Sequence, residues 1–286
     1  MKRSFIVFMT ASLVWAACND QSGTESNTGA DSMAASAATE PVKEVAIKEE
    51  TVTYKGDGVT MKGFVAFDSL NTGKRPAVLI VHEWWGLNDY PRMRARELAK
   101  LGYVAFAMDM YGDGKTVDNP GDAEKMVTPF YQNPKKAKAR MDAALATLKS
   151  MPQTDSANVA AIGYCFGGGM VINAARLGED VKGVVSFHGS LLGTPAKKEL
   201  LKAKILVCNG ADDQFLPKAE IDQFKKQMDS IGADYTFKDY PGAGHAFTNP
   251  EATEVGKKFN IPIAYNAEAD SASWSDMRAF FDGIFK

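Results

Sequence analysis

This chain is short of the residues that bind metals and carry redox chemistry: its 286 residues include three cysteines, Cys18, Cys165 and Cys208, and three histidines, His82, His188 and His245. No Cys-x-x-Cys pair occurs, which excludes a dithiol redox motif, and the histidines and cysteines lack zinc-type spacing. Neither a metal nor another cofactor is therefore expected. An excess of one charge is missing as well. Lys and Arg number 33 against 35 Asp and Glu, and the net charge of −2 gives no electrostatic footprint for nucleic acid. Small neutral or weakly charged molecules are the more natural partners. The mainly apolar stretch Phe5–Val14 is too short to span a bilayer as a permanent helix, and no internal repeat is present. What remains is an ordinary globular composition, 45% hydrophobic and 24% charged, which supports a sizeable core. One main domain of about 240 residues is expected.

The first residues read as a targeting segment. Lys2 and Arg3 make a basic start, the apolar stretch follows, and Trp15-Ala16-Ala17-Cys18 closes it with small residues before a cysteine. This end resembles a bacterial lipoprotein signal, in which the cysteine becomes the lipid-modified first residue after cleavage, although Trp15 stands where such signals usually carry Leu. Lipidation of Cys18 is the expectation, and plain secretion after Ala17 is the alternative. Export to the periplasm or cell envelope follows from both, and the lipid would be the chain's one hold on a membrane. Asn19–Ala38 is rich in Ser, Thr, Ala, Gly and Asp with almost nothing to bury. The expected organisation is thus a signal peptide at 1–17, a flexible tether at 18–45 and a folded domain at 46–286.

Within the domain, Glu50–Tyr54 and Thr60–Phe67 alternate apolar and polar residues around Gly56-Asp57-Gly58, an antiparallel hairpin signal. Apolar runs then alternate with helical patterns. Strands are predicted at Ala77–Val81, Tyr103–Met108, Val159–Ile162, Val181–Phe187, Lys204–Cys208 and Asp234–Tyr240. Helices are predicted at Asp89–Leu101, Pro134–Met151, Met170–Leu177, Lys218–Ile231 and Ser271–Phe285, with a helix-like segment at Pro195–Lys202 and a loop at Asp109–Gly121. This alternation implies an α/β fold with a mostly parallel central sheet flanked by helices.

Cys165 falls at the junction of a predicted strand and a predicted helix, in Gly163-Tyr164-Cys165-Phe166-Gly167. Such a turn is sharp, so the positions two residues to each side must be small, and the glycines meet that need. Gly-x-Cys-x-Gly is the nucleophile elbow of α/β-hydrolases with a thiol in place of the usual hydroxyl. The first turn of a helix favours thiolate, the form that attacks carbonyl carbon. A buried cysteine beside packing glycines is the plainer alternative. A thiol nucleophile needs a base and a group to orient it. His245, in Gly-Ala-Gly-His-Ala-Phe, and Asp213, in Ala-Asp-Asp-Gln-Phe-Leu-Pro, each follow a predicted strand. Nucleophile, acid and histidine in that chain order is the α/β-hydrolase order.

Gly-Tyr-Cys-Phe-Gly-Gly, Asp213-Gln-Phe-Leu-Pro, Gly244-His245-Ala-Phe and His82-Glu83-Trp84-Trp85-Gly-Leu-Asn together resemble the dienelactone hydrolase family, from about Glu50 to Lys286. The resemblance implies that Cys165 is the nucleophile, His245 the proton shuttle and Asp213 its orienting carboxylate. Glu83 matches the glutamate that contacts the nucleophile and helps to generate thiolate, and the N–H groups of Phe166 and Trp84 match the oxyanion-hole donors. Arginines that hold a substrate carboxylate in the family are replaced by Asp113 and Asn249, neither of which forms that ion pair. In the hydrolase strand order Val181–Phe187 separates the strands ending at Cys165 and Cys208, about 10 Å apart, so those thiols are not expected to pair. The expected function is hydrolysis of a carboxylic ester or lactone through an acyl-cysteine intermediate, the rival being a catalytically silent binding protein on the same scaffold.

Overall fold

The computed structural model describes residues 44–285. The expected signal peptide, Cys18 and nearly all of the tether lie outside the described residues. Eight strands form one sheet: β1 (Ile47–Gly56), β2 (Val59–Asp68), β3 (Arg75–Val81), β4 (Val104–Ala107), β5 (Thr154–Tyr164), β6 (Gly183–Phe187), β7 (Lys204–Gly210) and β8 (Tyr235–Tyr240). Their spatial order is β1-β2-β4-β3-β5-β6-β7-β8. The first two strands run antiparallel to their neighbours, and from β4 to β8 every pairing is parallel. Gly56 pairs with Val59, so the hairpin turns on Asp57 and Gly58 alone. Both adopt positive φ, 52° and 71°, as the tight two-residue turn requires.

Among the described residues seven helices accompany the sheet: α1 (Asp89–Lys100), α2 (Pro120–Gln132), α3 (Pro134–Ser150), α4 (Phe166–Arg176), α5 (Lys218–Ile231), α6 (Ala252–Phe259) and α7 (Ala267–Ile284). The apolar runs of the inner strands are continuous because both sheet faces are covered. On β3, Ala77, Leu79 and Val81 join Met141 and Leu145 of α3 and Val171 of α4 in one core cluster. Val78 and Ile80 point the other way, into a second cluster with Leu98 of α1 and Met277 and Phe281 of α7. Period-two alternation thus splits one hydrophobic strand between two cores.

The structure corrects the sequence reading at three places. Pro195–Lys202 is not a helix but irregular chain with a single turn, in which the Leu200 and Leu201 N–H groups both reach back to the Lys197 carbonyl. The residues before it are drawn away by side-chain acceptors: Glu220 takes the N–H groups of Leu191 and Leu192, and Asn173 takes that of Thr194. A helix has no room to nucleate there. Helices α2 and α6 were not expected. α2 starts where Asn119 accepts the Asp122 N–H at 3.0 Å with Pro120 in the first turn, and buries Ala123, Val127 and Phe130 at helical spacing. α6 follows the turn in which Asn249 accepts the Glu251 N–H, and ends at Asn260 in the left-handed region.

Candidate active site

Cys165 sits between the last residue of β5 and the first of α4 with φ 51° and ψ −116°. A side chain at positive φ is strained and must be held by its surroundings. Two features do this. The Cys165 N–H donates to the Phe187 carbonyl at 3.0 Å and to His188 Nδ1 at 3.1 Å. The glycines on either side permit the approach: a Cβ on Gly163 would run into the Gly167 backbone, and one on Gly167 into the carbonyl of Val81. The sulfur is left half-buried at the N-terminus of a helix, lining a cavity of about 630 Å³.

β7 and β8 end beside it. Asp213 follows β7 and is buried; its Oδ1 accepts the Phe215 N–H at 2.8 Å, and its Oδ2 meets His245 Nδ1 at 2.8 Å. His245 follows β8, and its Nε2 lies 3.1 Å from Cys165 Sγ. Burial opposes a charge on the imidazole, but the adjacent sulfur and Asp213 outweigh it and raise the pKa to about 10. His245 thus stands within hydrogen-bond reach of both the carboxylate and the sulfur.

Glu83 follows β3 and lines the same cavity. Its Oε2 accepts from Asn249 Nδ2 at 2.7 Å, while the hydrogen-bond partner of the sulfur is His245. Burial pushes the Glu83 carboxyl up to about 7 against the pull of Asn249. Trp84 and Trp85 meet edge to face, 4.9 Å between centroids, and both line the cavity, with Trp85 the more buried. The Tyr111 hydroxyl holds the Trp84 carbonyl at 2.7 Å. Among the described residues the N–H groups of Trp84 and Phe166 have no hydrogen-bond acceptor, so both are free to donate to a ligand. Of the two positions set against the family arginines, Asn249 belongs to the site and Asp113 does not: Asp113 lies on an exposed loop, its N–H bonded to the Thr60 carbonyl. No cluster of His, Cys, Asp and Glu that could hold a metal occurs among the described residues.

His188 was missed by the sequence reading. It stands directly after β6 with φ 41°, fully buried, its ring 5.2 Å from that of His245. Because the Cys165 N–H donates to Nδ1, the ring proton is on Nε2, which donates to Thr248 Oγ1 at 2.7 Å. Burial, helped by the charges of His245 and Arg94, holds its pKa well below the usual histidine range. Thr248 is fixed in turn by Tyr90 at 2.6 Å and, through its carbonyl, by Arg94 at 2.6 Å. The signal available was position alone, at the carboxyl end of a parallel strand, where open α/β sheets place ligands.

A mostly parallel sheet with a strained strand-to-helix turn at one end, followed in chain order by an acid and a histidine at the ends of later strands, defines an α/β-hydrolase. Comparison with known proteins narrows the class. Residues 61–285 match the profile described as the dienelactone hydrolase family. "Protein usf" of Aquifex pyrophilus is 31% identical over 223 residues, 76% of this chain and 94% of that protein. The solved structure of P91, a dienelactone hydrolase-like promiscuous phosphotriesterase from metagenomic libraries, superposes with a TM-score of 0.79 at 32% identity, covering 84% of this chain and 99% of the other. A structure named m3DLH gives 0.80 at 34% identity, covering 84% and 100%. The chain belongs to the dienelactone hydrolase family and is a hydrolase of that kind, acting on an ester or lactone.

Proposed function

We propose that this hydrolase cleaves a carboxylic ester or lactone by transferring the acyl group to Cys165, with His245 as proton shuttle and Asp213 as its orienting carboxylate. The observation that carries the reading is the line of hydrogen bonds from Cys165 Sγ through His245 to Asp213, at 3.1 and 2.8 Å. The Cys165 thiol gives its proton to His245 Nε2, and the sulfur of the resulting ion pair attacks the carbonyl carbon. The carbonyl oxygen takes the electron pair and receives hydrogen bonds from the N–H groups of Phe166 and Trp84, donors of a kind worth about 10²–10³ in rate. Collapse breaks the bond to the alcohol oxygen, which takes the proton from His245 Nε2. Neutral His245 then deprotonates a water, the hydroxide attacks the thioester, and collapse releases the acid and restores the ion pair. Positioned proton transfer of this sort contributes about 10²–10⁴. Glu83 is assigned from the resemblance to generating the thiolate; a buried carboxyl poised near 7 in the same cavity supports that part. A silent binding protein would have no need of an elbow, an orienting acid and a histidine in hydrogen-bonded line.

Purified protein assayed on small aryl esters and lactones tests the proposal, with a phosphotriester added because P91 is described by that activity. Cys165→Ala and His245→Ala are expected to lose at least about 10³ in kcat/KM while keeping the fold. Equal hydrolysis by wild type and Cys165→Ala would refute the assignment. Export and lipidation at Cys18 belong to the same proposal, supported by the basic, apolar and small-residue order of the first 18 residues. Cys18→Ala is expected to move the protein from the detergent to the aqueous phase, and native protein found wholly in the aqueous phase favours plain secretion.

A further inference from the structure

The cavity beside Cys165 has no lysine or arginine in its lining. Its titratable lining groups are Glu83, Glu124, Asp213, Cys165, His188, His245 and Tyr131. The positive charge of His245 is already matched by Asp213 and the sulfur that it bridges. His188 is held neutral by burial. Glu124, on α2, projects from an exposed residue at the cavity wall, and Glu83 is engaged by an uncharged amide. A substrate carboxylate entering here would meet no free cation and two carboxyl groups.

Apart from the uncharged polar residues Asn173, Ser190 and Asn249, the rest of the wall is apolar, and its mouth is unusual for a folded surface. Three large apolar side chains stand open there: Leu192 at 58%, Phe215 at 50% and Tyr131 at 45% exposure. They come from three separate elements, the loop after β6, the loop after β7 and the last turn of α2. Phe215 lies edge-on to the His245 ring, 4.9 Å between centroids, so this apolar surface runs up to the proposed chemistry. Exposed apolar area gathered at a cavity mouth gains free energy when a ligand covers it. The volume, about 630 Å³, is that of a site for a drug-sized molecule.

We infer that the site is selective for electrically neutral, apolar esters, aryl or medium-chain alkyl in both arms, and rejects esters that carry a carboxylate. This rests on the proposed Cys165 hydrolysis. The test compares 4-nitrophenyl methyl adipate with mono-4-nitrophenyl adipate, which differ by one charge at nearly equal length, each rate corrected for spontaneous hydrolysis. For the wild type the neutral diester is expected to have a kcat/KM about 100-fold higher, given one like charge brought near Glu83 and Glu124 in a poorly hydrated site. Leu192→Arg exchanges part of the apolar mouth for a cation, and is expected to lower the ratio of kcat/KM for the diester to that for the acid ester at least about 10-fold; an unchanged ratio would count against the charge argument. Comparable Cys165-dependent hydrolysis of both esters by the wild type overturns the selectivity and leaves the hydrolase reading standing. Hydrolysis of both that survives Cys165→Ala overturns the Cys165 mechanism on which the inference rests.

Discussion

At the scale of residues, His245 is where burial and charge pull in opposite directions. Burial disfavours the imidazolium, yet the Cys165 sulfur and the Asp213 carboxylate keep the ring protonated up to about pH 10. A folded-state pKa raised above the unfolded value of about 6.5 means that this stabilisation is fully present below that pH and is lost as the pH rises through about 10. Cys165→Ala removes the first of the supporting partners. In an NMR titration the His245 ring of the wild type is expected to deprotonate near pH 10, and that of Cys165→Ala at a clearly lower pH; coincident curves would show that the sulfur bears no charge in the pair. Cys165, Asp213 and His245 were legible in the sequence because each follows a strand pattern, apolar for the first two and alternating for the third, and their order is that of a known chemistry. His188 satisfied the same positional rule, but a histidine that donates to a buried threonine and accepts from a backbone amide has no sequence signature. The pairing of Glu83 with Asn249, 166 residues apart, was equally out of reach.

At the scale of elements, one part of the cavity wall is built from segments that the sequence does not mark. Val127 and Tyr131 come from α2, Ala252 and Val255 from α6, and Ser190 and Leu192 from a segment next to the one taken for a helix. The inner strands read well because they are buried on both faces and so mainly apolar, and the edge strands β1 and β8 by their alternation. α2 and α6 bury only one side: Ala252 and Gly256 are the buried residues of α6, too small to mark a hydrophobic stripe. The Asn119-Pro120 cap of α2 precedes a weak pattern, and α6 follows Glu251 with no side-chain cap. The wall segment after β6 depends on α5 through one carboxylate: Glu220 Oε1 accepts from Ser190 Oγ at 2.9 Å, from the Leu192 N–H at 2.8 Å and from the Leu191 N–H. Glu220→Ala leaves the buried Leu191 amide without its acceptor and is expected to cost about 1–3 kcal/mol in denaturant unfolding. Because the segment lines the cavity without touching the reacting groups, KM for a neutral aryl ester should rise about 10-fold while kcat changes less than about 3-fold. An unchanged KM would show that the segment is held by other contacts.

At the scale of the whole molecule, the parallel sheet brings distant residues together by ending β3, β5, β6, β7 and β8 along one edge, where Glu83, Cys165, His188, Asp213 and His245 follow in turn. This much was legible, because alternating strands and helices dictate a parallel sheet and a parallel sheet has one carboxyl edge. The same topology separates the two described thiols. β6 lies between β5 and β7, with Tyr164 paired to Phe187 and Phe187 to Cys208, and both cysteines are free. Cys208 is fully buried, and burial pushes its thiol up to about 12 against the hydrogen bond from Tyr240. Iodoacetamide applied to the native protein is expected to label Cys165 and spare Cys208, as mass spectrometry of the digest would read; preferential labelling of Cys208 would contradict the packing of β7. The proposed function turns on one event, the acylation of the elbow sulfur, and that event can be tested directly. Mixing the protein with excess 4-nitrophenyl ester, quenching in acid within the first turnovers and mapping the peptides should find the acyl mass on Cys165, and no adduct at that peptide in Cys165→Ala. An acyl group on another residue, or release of nitrophenol at the wild-type rate by Cys165→Ala, would contradict it.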